Sequence, residues 1–183
     1  MFSRSTSPRR IAAELYGDVV AAARAAVFYA DLGVPDTIEG RYEMIVLHVV
    51  LLLRRMRQPG AEQKRLAQAL VDFMAADLDR SIRELGVGDM SVGKFMKRLG
   101  EGLYGRAAAY DKALDDHDIR ALEVAVLRNI FDGYNPGARI LAIIAQYVQA
   151  QYDYLAGQLI EPIAAGHVVF QPFADMNLVT EPY

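Results

Sequence analysis

The chain has 183 residues and a formal net charge of −3, from 20 basic and 23 acidic side chains, which argues against a general nucleic-acid binder because such proteins carry a basic excess. Cysteine is absent, so a disulfide framework and a thiolate metal site are excluded. A chain of this length buries roughly 70% of its unfolded surface and needs no such support for its core.

The chain begins with MFSRSTSPRR, which contains arginines but no apolar stretch and is not typical of a secretory signal. Residues 1–8 are predicted to form a flexible basic arm, and residues 9–160 a helical domain. The first predicted helix runs from Arg9 to Tyr29, because apolar residues recur there at helical spacing. Gly33 and Pro35 in the next segment end it.

The second predicted helix begins after Asp36, as N-cap with Glu39 as its capping-box partner, and continues to Arg57. Its run MIVLHVVLLL is apolar on every side, which predicts a central, buried helix. Ten residues are too few for a membrane span, which needs about 20. His48 lies in this run without a second ligand one turn away, so we expect a hydrogen-bonded core histidine.

The third helix is predicted over Ala61–Leu85 and the fourth from Ser91 or Val92 to Asp115. Residues 88–94 between them, GDMSVGK, fit the G-x-x-x-x-G-K pattern of a phosphate-binding loop. A functional loop needs a hydroxyl residue after the lysine and a buried strand before the glycine. Phe95 follows the lysine and an amphipathic helix precedes the glycine, so we interpret the segment as a junction with Gly86 as C-cap and Ser91 as N-cap.

The fifth predicted helix spans Ile119–Phe131. A sixth begins after Asn135 as N-cap, with Pro136 in its first turn, and reaches Ile160. Residues 161–183 contain three prolines and no helical period, which predicts an irregular, extended tail that packs its VVF segment (168–170) against the bundle. The fold class is therefore all-α, a single-domain bundle of about six helices with a C-terminal tail.

The fourth helix contains Gly100, Gly102 and Gly105, each of which costs about 1 kcal/mol relative to alanine. Glycines inside a helix are typical of sites where another group approaches the backbone closely. Basic and aromatic side chains flank them, so the region is either a solvated cationic face or a docking surface.

Other polar clusters give weaker signals. The DDHD segment (115–118) is interpreted as a solvated helix cap rather than a cation site. Asp72, Asp77 and Asp79 resemble the carboxylates that hold Mg²⁺-diphosphate in helical enzymes, but their spacing does not put all three on one face. We therefore predict no catalytic residue, no metal and no cofactor.

Two stretches carry a family resemblance: FYADLGVPDTIEGRYEMIVLHVVLLLRRMR (28–57) and LVDFMAADLDRSIRELGVGDMSVGKFMKRLGEGLYGRAAAYDKAL (70–114). Together they resemble the ubiquinol–cytochrome c chaperone family. The matching positions are Asp31, Gly33, Pro35, Asp36, Gly40, Arg41, Asp72, Asp77, Asp79, Arg83, Gly86, Gly88, Asp89, Gly93, Lys94, Lys97, Tyr104, Gly105, Arg106 and Tyr110.

The resemblance implies an all-helical, non-enzymatic chaperone that binds newly made cytochrome b and helps to assemble respiratory complex III. It implies action in the bacterial cytoplasm, with at most transient proximity to the inner face of the membrane, or in the mitochondrial matrix of a eukaryote. The resemblance also offers a small partner protein and the ribosome as partners, but the long amino-terminal extension of mitochondrial members is not seen here, so these two partners stay open. The side chains expected to contact the client are Asp77, Arg80, Lys94, Lys97, Tyr104 and Arg106.

Two alternatives remain at this stage. One is a Mg²⁺-dependent helical enzyme that acts on a prenyl diphosphate or quinone precursor, and the other is a structural subunit without a client cycle. Saturable binding of a prenyl diphosphate with Mg²⁺, or a stable stoichiometric complex, distinguishes them from the chaperone.

Overall fold

The computed structural model describes residues 7–57, 59–84 and 89–176, with the side chains of 89–91, 94, 95, 98, 99 and 101 left out. Every regular element in these ranges is helical, which confirms the all-α prediction. In chain order they are α1 (Pro8–Ala23), α2 (Ala26–Ala30), α3 (Ile38–Arg55), α4 (Ala61–Glu84), α5 (Asp89–Asp115), α6 (Ile119–Asn129), α7 (Ala138–Ala156) and α8 (Ile160–Ala164), followed by a 3₁₀ turn at Phe173–Asp175.

Helix α3 occupies the centre of the bundle, as its apolar run predicts. It packs against α1, α5 and α7, while α4 covers α1 and α6 lies between α5 and α7. The side chains from Val46 to Leu52 on α3 are all buried. Among the helices that the structure describes, none is both long and apolar enough to cross a membrane.

The predicted first helix is wrong in one respect, because it breaks after Ala23 and α2 begins at Ala26. Ala25 adopts an extended conformation between the two helices. The Tyr29 hydroxyl donates to the Ala23 carbonyl at 2.9 Å, which satisfies a carbonyl at the helix end. The break turns Phe28 into the core, where its ring meets that of Tyr147 edge-on at 4.9 Å.

Two predicted N-caps are wrong. Thr37, not Asp36, caps α3 by accepting a hydrogen bond from the Gly40 amide at 3.1 Å, because Asp36 instead pairs with Arg41. Asn135 lies outside α7 and accepts from the Gly137 amide at 2.9 Å. Gly137 takes the N-cap position with a φ of 103°, a conformation that favours glycine.

Other helix boundaries shift slightly. Helix α5 begins at Asp89, before the predicted Ser91 or Val92, and the proposed C-cap Gly86 lies outside the described residues. Helix α6 ends at Asn129 rather than Phe131, and α7 at Ala156 rather than Ile160.

The predicted absence of helix after residue 161 is wrong, because α8 forms there. Pro162 lies in its first turn, where a missing N–H costs nothing. Beyond α8 the chain is extended, and Val168 and Phe170 face the core while Val169 points outward. The predicted packing of the VVF segment is thus confirmed for two of its three side chains.

Candidate functional site

Buried His48 has a structural explanation. Its Nδ1 lies 2.7 Å from the Met44 carbonyl, and its Nε2 lies 2.7 Å from the Tyr147 hydroxyl. Since a carbonyl can only accept, Nδ1 donates and Nε2 accepts from the tyrosine. Burial lowers the pKa of His48 to about 4, so the ring is neutral at pH 7. The prediction of a hydrogen-bonded core histidine is confirmed.

Two of the predicted client-contact residues lie on α4. Asp77 and Arg80 line a surface cavity of about 350 Å³, together with Arg9 and Phe73. The Tyr16 hydroxyl donates to the Asp77 carboxylate at 3.1 Å, and this bond joins α1 to α4. Burial, with Asp77 adding to it, raises the pKa of Tyr16, so the hydroxyl remains a donor at neutral pH.

A second pair lies on the outer face of α5. Gly93, Lys97, Gly100 and Tyr104 are exposed and follow one another at spacings of four, three and four residues, so they share one helix face. The Tyr104 side chain is 81% exposed, the most exposed of the large hydrophobic residues in the described chain. The side chain of Lys94, also predicted to contact the client, lies outside the described residues. We call Gly93, Lys97, Gly100 and Tyr104 together the outer face of α5.

The glycines of α5 differ in what surrounds them. A Cβ atom placed on Gly93, Gly100 or Gly105 would have no atom of the described residues within 4 Å, whereas on Gly102 it would overlap Nη1 of Arg106. Gly102 therefore leaves room for the Arg106 guanidinium, and the other three glycines leave space open among the described side chains.

Arg106, the last of the six predicted residues, lies on the inner side of α5. Its Nε donates to Oε2 of Glu43 at 2.6 Å and its Nη2 donates to Oε1, which makes a two-pronged ion pair between α5 and α3. Burial raises the pKa of Glu43, and Arg106 acts in the opposite direction. Sequence reasoning missed Glu43, although one signal was present: an acid directly before an apolar run needs a partner when buried.

The three aspartates considered for Mg²⁺ binding each have a separate partner. Asp72 accepts from Gln68 at 2.8 Å, Asp77 accepts from Tyr16, and Asp79 pairs with Arg83 at 2.7 Å. No group of three or more His, Asp or Glu side chains within the described ranges is placed to hold a metal ion.

Sequence reasoning also missed a cavity near the C-terminal segment. It measures about 620 Å³ and lies between the α1–α2 junction and the extended segment 168–174, with mainly apolar walls. We call it the C-terminal groove. Its two walls are about 150 residues apart in the chain, so no local pattern could reveal it.

Comparison with known families gives one match across most of the chain. Residues 30–170 match the model of the family described as ubiquinol-cytochrome C chaperone. Among solved structures, the chain resembles the crystal structure of the Cbp3 homolog from Brucella abortus, with a TM-score of 0.82 and 40% identity over 91% of this chain and 92% of that one.

Curated relatives include the mouse ubiquinol-cytochrome c reductase complex assembly factor 1, which is 29% identical over 82% of this chain and 51% of its own length. The human protein of the same name is 29% identical over 82% of this chain and 50% of its own length. The mitochondrial protein CBP3 of Saccharomyces cerevisiae is 30% identical over 86% of this chain and 48% of its own length. The chain thus spans about half the length of these relatives.

Proposed function

Since the chain belongs to the ubiquinol–cytochrome c chaperone family, we propose that it is a non-enzymatic chaperone that binds newly made cytochrome b and assists assembly of the ubiquinol–cytochrome c reductase complex. The relatives named as assembly factors of this complex support the proposal. The proposed place of action is the bacterial cytoplasm, near the inner face of the membrane, or the mitochondrial matrix of a eukaryote.

The observation that carries the proposal is the outer face of α5. The solvent-exposed Tyr104 lies on the same helix face as Gly100, where a Cβ atom would meet none of the described side chains within 4 Å. Aromatic side chains bury large areas on binding and are enriched where interfaces are tightest. Uncovered backbone lets a second polypeptide approach closely, which increases van der Waals contact. The combination suits a transient complex with an apolar segment.

We further assign charged side chains on two helices to the rim of the proposed client surface. Lys97 and Lys94 lie on α5, and Asp77 and Arg80 lie on the neighbouring α4. Rim charges of both signs select polar loops of a client and affect the association rate more than the affinity. Arg106 contributes from the inner side, where its pair with Glu43 ties α5 to α3.

The test is site-specific photo-crosslinking during synthesis of cytochrome b. A photoreactive residue at position 104 is compared with one at Tyr134, a tyrosine that is 71% exposed in the loop after α6. We expect an adduct with cytochrome b from position 104 and background from position 134. Equal yields from the two positions, or no adduct from 104, contradict the proposal.

A further inference from the structure

The C-terminal groove has the size and lining of a ligand site. Its volume of about 620 Å³ falls in the range of roughly 300–1,000 Å³ that small-molecule sites occupy. Alanines of α1 and α2 form one wall, aromatic side chains of the segment 168–174 form the other, and Phe28 and Tyr147 belong to its lining.

The polar groups that line the groove are already engaged within the protein. Asp18 accepts from the Val168 amide at 3.1 Å, and the Gln171 backbone exchanges two hydrogen bonds with the Gln151 side chain. The Tyr147 hydroxyl bonds to His48. A polar ligand would find few partners here and would lose its hydration, so the groove favours a hydrocarbon chain.

A second cavity of about 530 Å³ adjoins the groove, and Ala26 lines both. The residues that line it include Arg24, Arg41, Asp36 and Tyr29. Arg41 is paired with Asp36, whereas the exposed side chain of Arg24 has no hydrogen bond or ion pair within the described part of the chain. An unpaired guanidinium binds a phosphate or carboxylate through two parallel hydrogen bonds.

We propose that the C-terminal groove binds one hydrocarbon chain of an anionic amphiphile, with the head group at Arg24. The apolar chain lies between the alanines of α1–α2 and the segment 168–174, and it passes Ala26 to reach the adjoining cavity. The ligand class is a long-chain phosphate or carboxylate, either free or as part of an anionic membrane lipid. This site is separate from the outer face of α5 and does not depend on the proposed client.

The test is calorimetric titration of the full chain with dodecyl phosphate below its micelle concentration. We expect saturable one-to-one binding by the wild type. Ala26→Phe fills the passage between the cavities and should weaken binding by at least about tenfold. Arg24→Gln should weaken it by about fivefold and remove the preference over an uncharged dodecyl ether.

The matched controls are Ala138→Phe and Arg139→Gln. Ala138, like Ala26, is the exposed first residue of a helix. Neither control should change the affinity.

The other outcomes of these experiments either identify the source of the ligand or overturn the proposal. Binding of anionic vesicles that depends on Arg24 identifies a membrane lipid as the source, and binding of the monomer alone identifies a free amphiphile. No saturable binding by the wild type, or equal affinities of Ala26→Phe and Ala138→Phe, overturns the proposal. Loss of cytochrome b crosslinking in Ala26→Phe without any dodecyl phosphate binding by the wild type also overturns it, because the groove would then hold a client segment.

Discussion

The two faces of α5 use the same residue type for opposite purposes. On the inner face, Gly102 leaves room for the Arg106 guanidinium, which reaches Glu43 on the central helix. On the outer side, Gly100 and Gly105 leave room that none of the described groups fills. Glycine alone therefore does not indicate a binding surface. A glycine makes room for another group of the protein where a Cβ atom would overlap that group. It leaves a surface open for a partner where a Cβ atom would have no neighbour among the described residues.

The largest expected effect comes from breaking the ion pair on the inner face. Arg106→Met leaves the mostly buried Glu43 carboxylate without its partner, and we expect a loss of about 2–3 kcal/mol in the free energy of unfolding at pH 7. Urea denaturation measures this loss. Lys112→Met is the control, because it removes an exposed pair with Asp116 and should leave the free energy of unfolding nearly unchanged. Equal losses of unfolding free energy in the two variants would show that the Arg106–Glu43 pair stabilises the fold no more than an exposed ion pair does.

The loss in Arg106→Met should also depend on pH. Burial raises the pKa of Glu43 above its ordinary value, and Asp132 adds to the rise while Arg106 opposes it. Without the arginine, the folded-state pKa rises further above the unfolded value. The folded variant then binds a proton more readily than the unfolded chain, so the penalty is full at neutral pH and shrinks as the pH falls and Glu43 becomes protonated.

Urea midpoints of wild type and Arg106→Met, compared between pH 7 and pH 5, test this dependence. We expect the difference in the free energy of unfolding between the two proteins to narrow towards pH 5. The comparison between proteins cancels the titration of groups common to both, such as His48. A constant difference across this range would mean that Glu43 is not the group left uncompensated.

Gly102→Ala should have a smaller effect on the free energy of unfolding, and the sign of this effect should depend on whether Arg106 is present. Alanine gains about 1 kcal/mol of helix propensity, but its Cβ displaces the Arg106 guanidinium, so we expect a net loss of about 1 kcal/mol. In the Arg106→Met background the obstacle is gone and the same substitution should become stabilising. A double-mutant cycle by urea denaturation measures the reversal. If Gly102→Ala stabilises the wild type as well, the glycine is not required for the ion pair.

The fold could be predicted from the sequence where a local pattern of residues indicates it. Much of the site could not be predicted in this way. The apolar run of α3 and the position of His48 within it were enough to predict a central helix and a core histidine. The N-cap of α3 was misassigned by one residue because Asp36 is taken up by Arg41, a competition that propensity rules do not include.

The Glu43–Arg106 pair joins residues 63 positions apart, and the C-terminal groove joins segments that are farther apart still. Both depend on how helices are placed in space. A single sequence gives residue types and spacings. It therefore located the glycines of α5, but it could not show that Gly102 faces the Arg106 side chain whereas Gly105 faces outward.

Gly105→Ala gives the smallest stability change and the sharpest test of the outer side of α5. A Cβ at this exposed position meets none of the described atoms within 4 Å, so the variant should be more stable than the wild type by about 0.5–1 kcal/mol, as expected for alanine in a helix interior. If a client segment packs against the uncovered backbone, the same methyl group should lower the yield of the cytochrome b adduct from position 104. A gain in stability together with a loss in crosslinking cannot arise from misfolding, because the two effects have opposite signs. Unchanged crosslinking would mean that the client contacts Tyr104 without approaching the helix backbone.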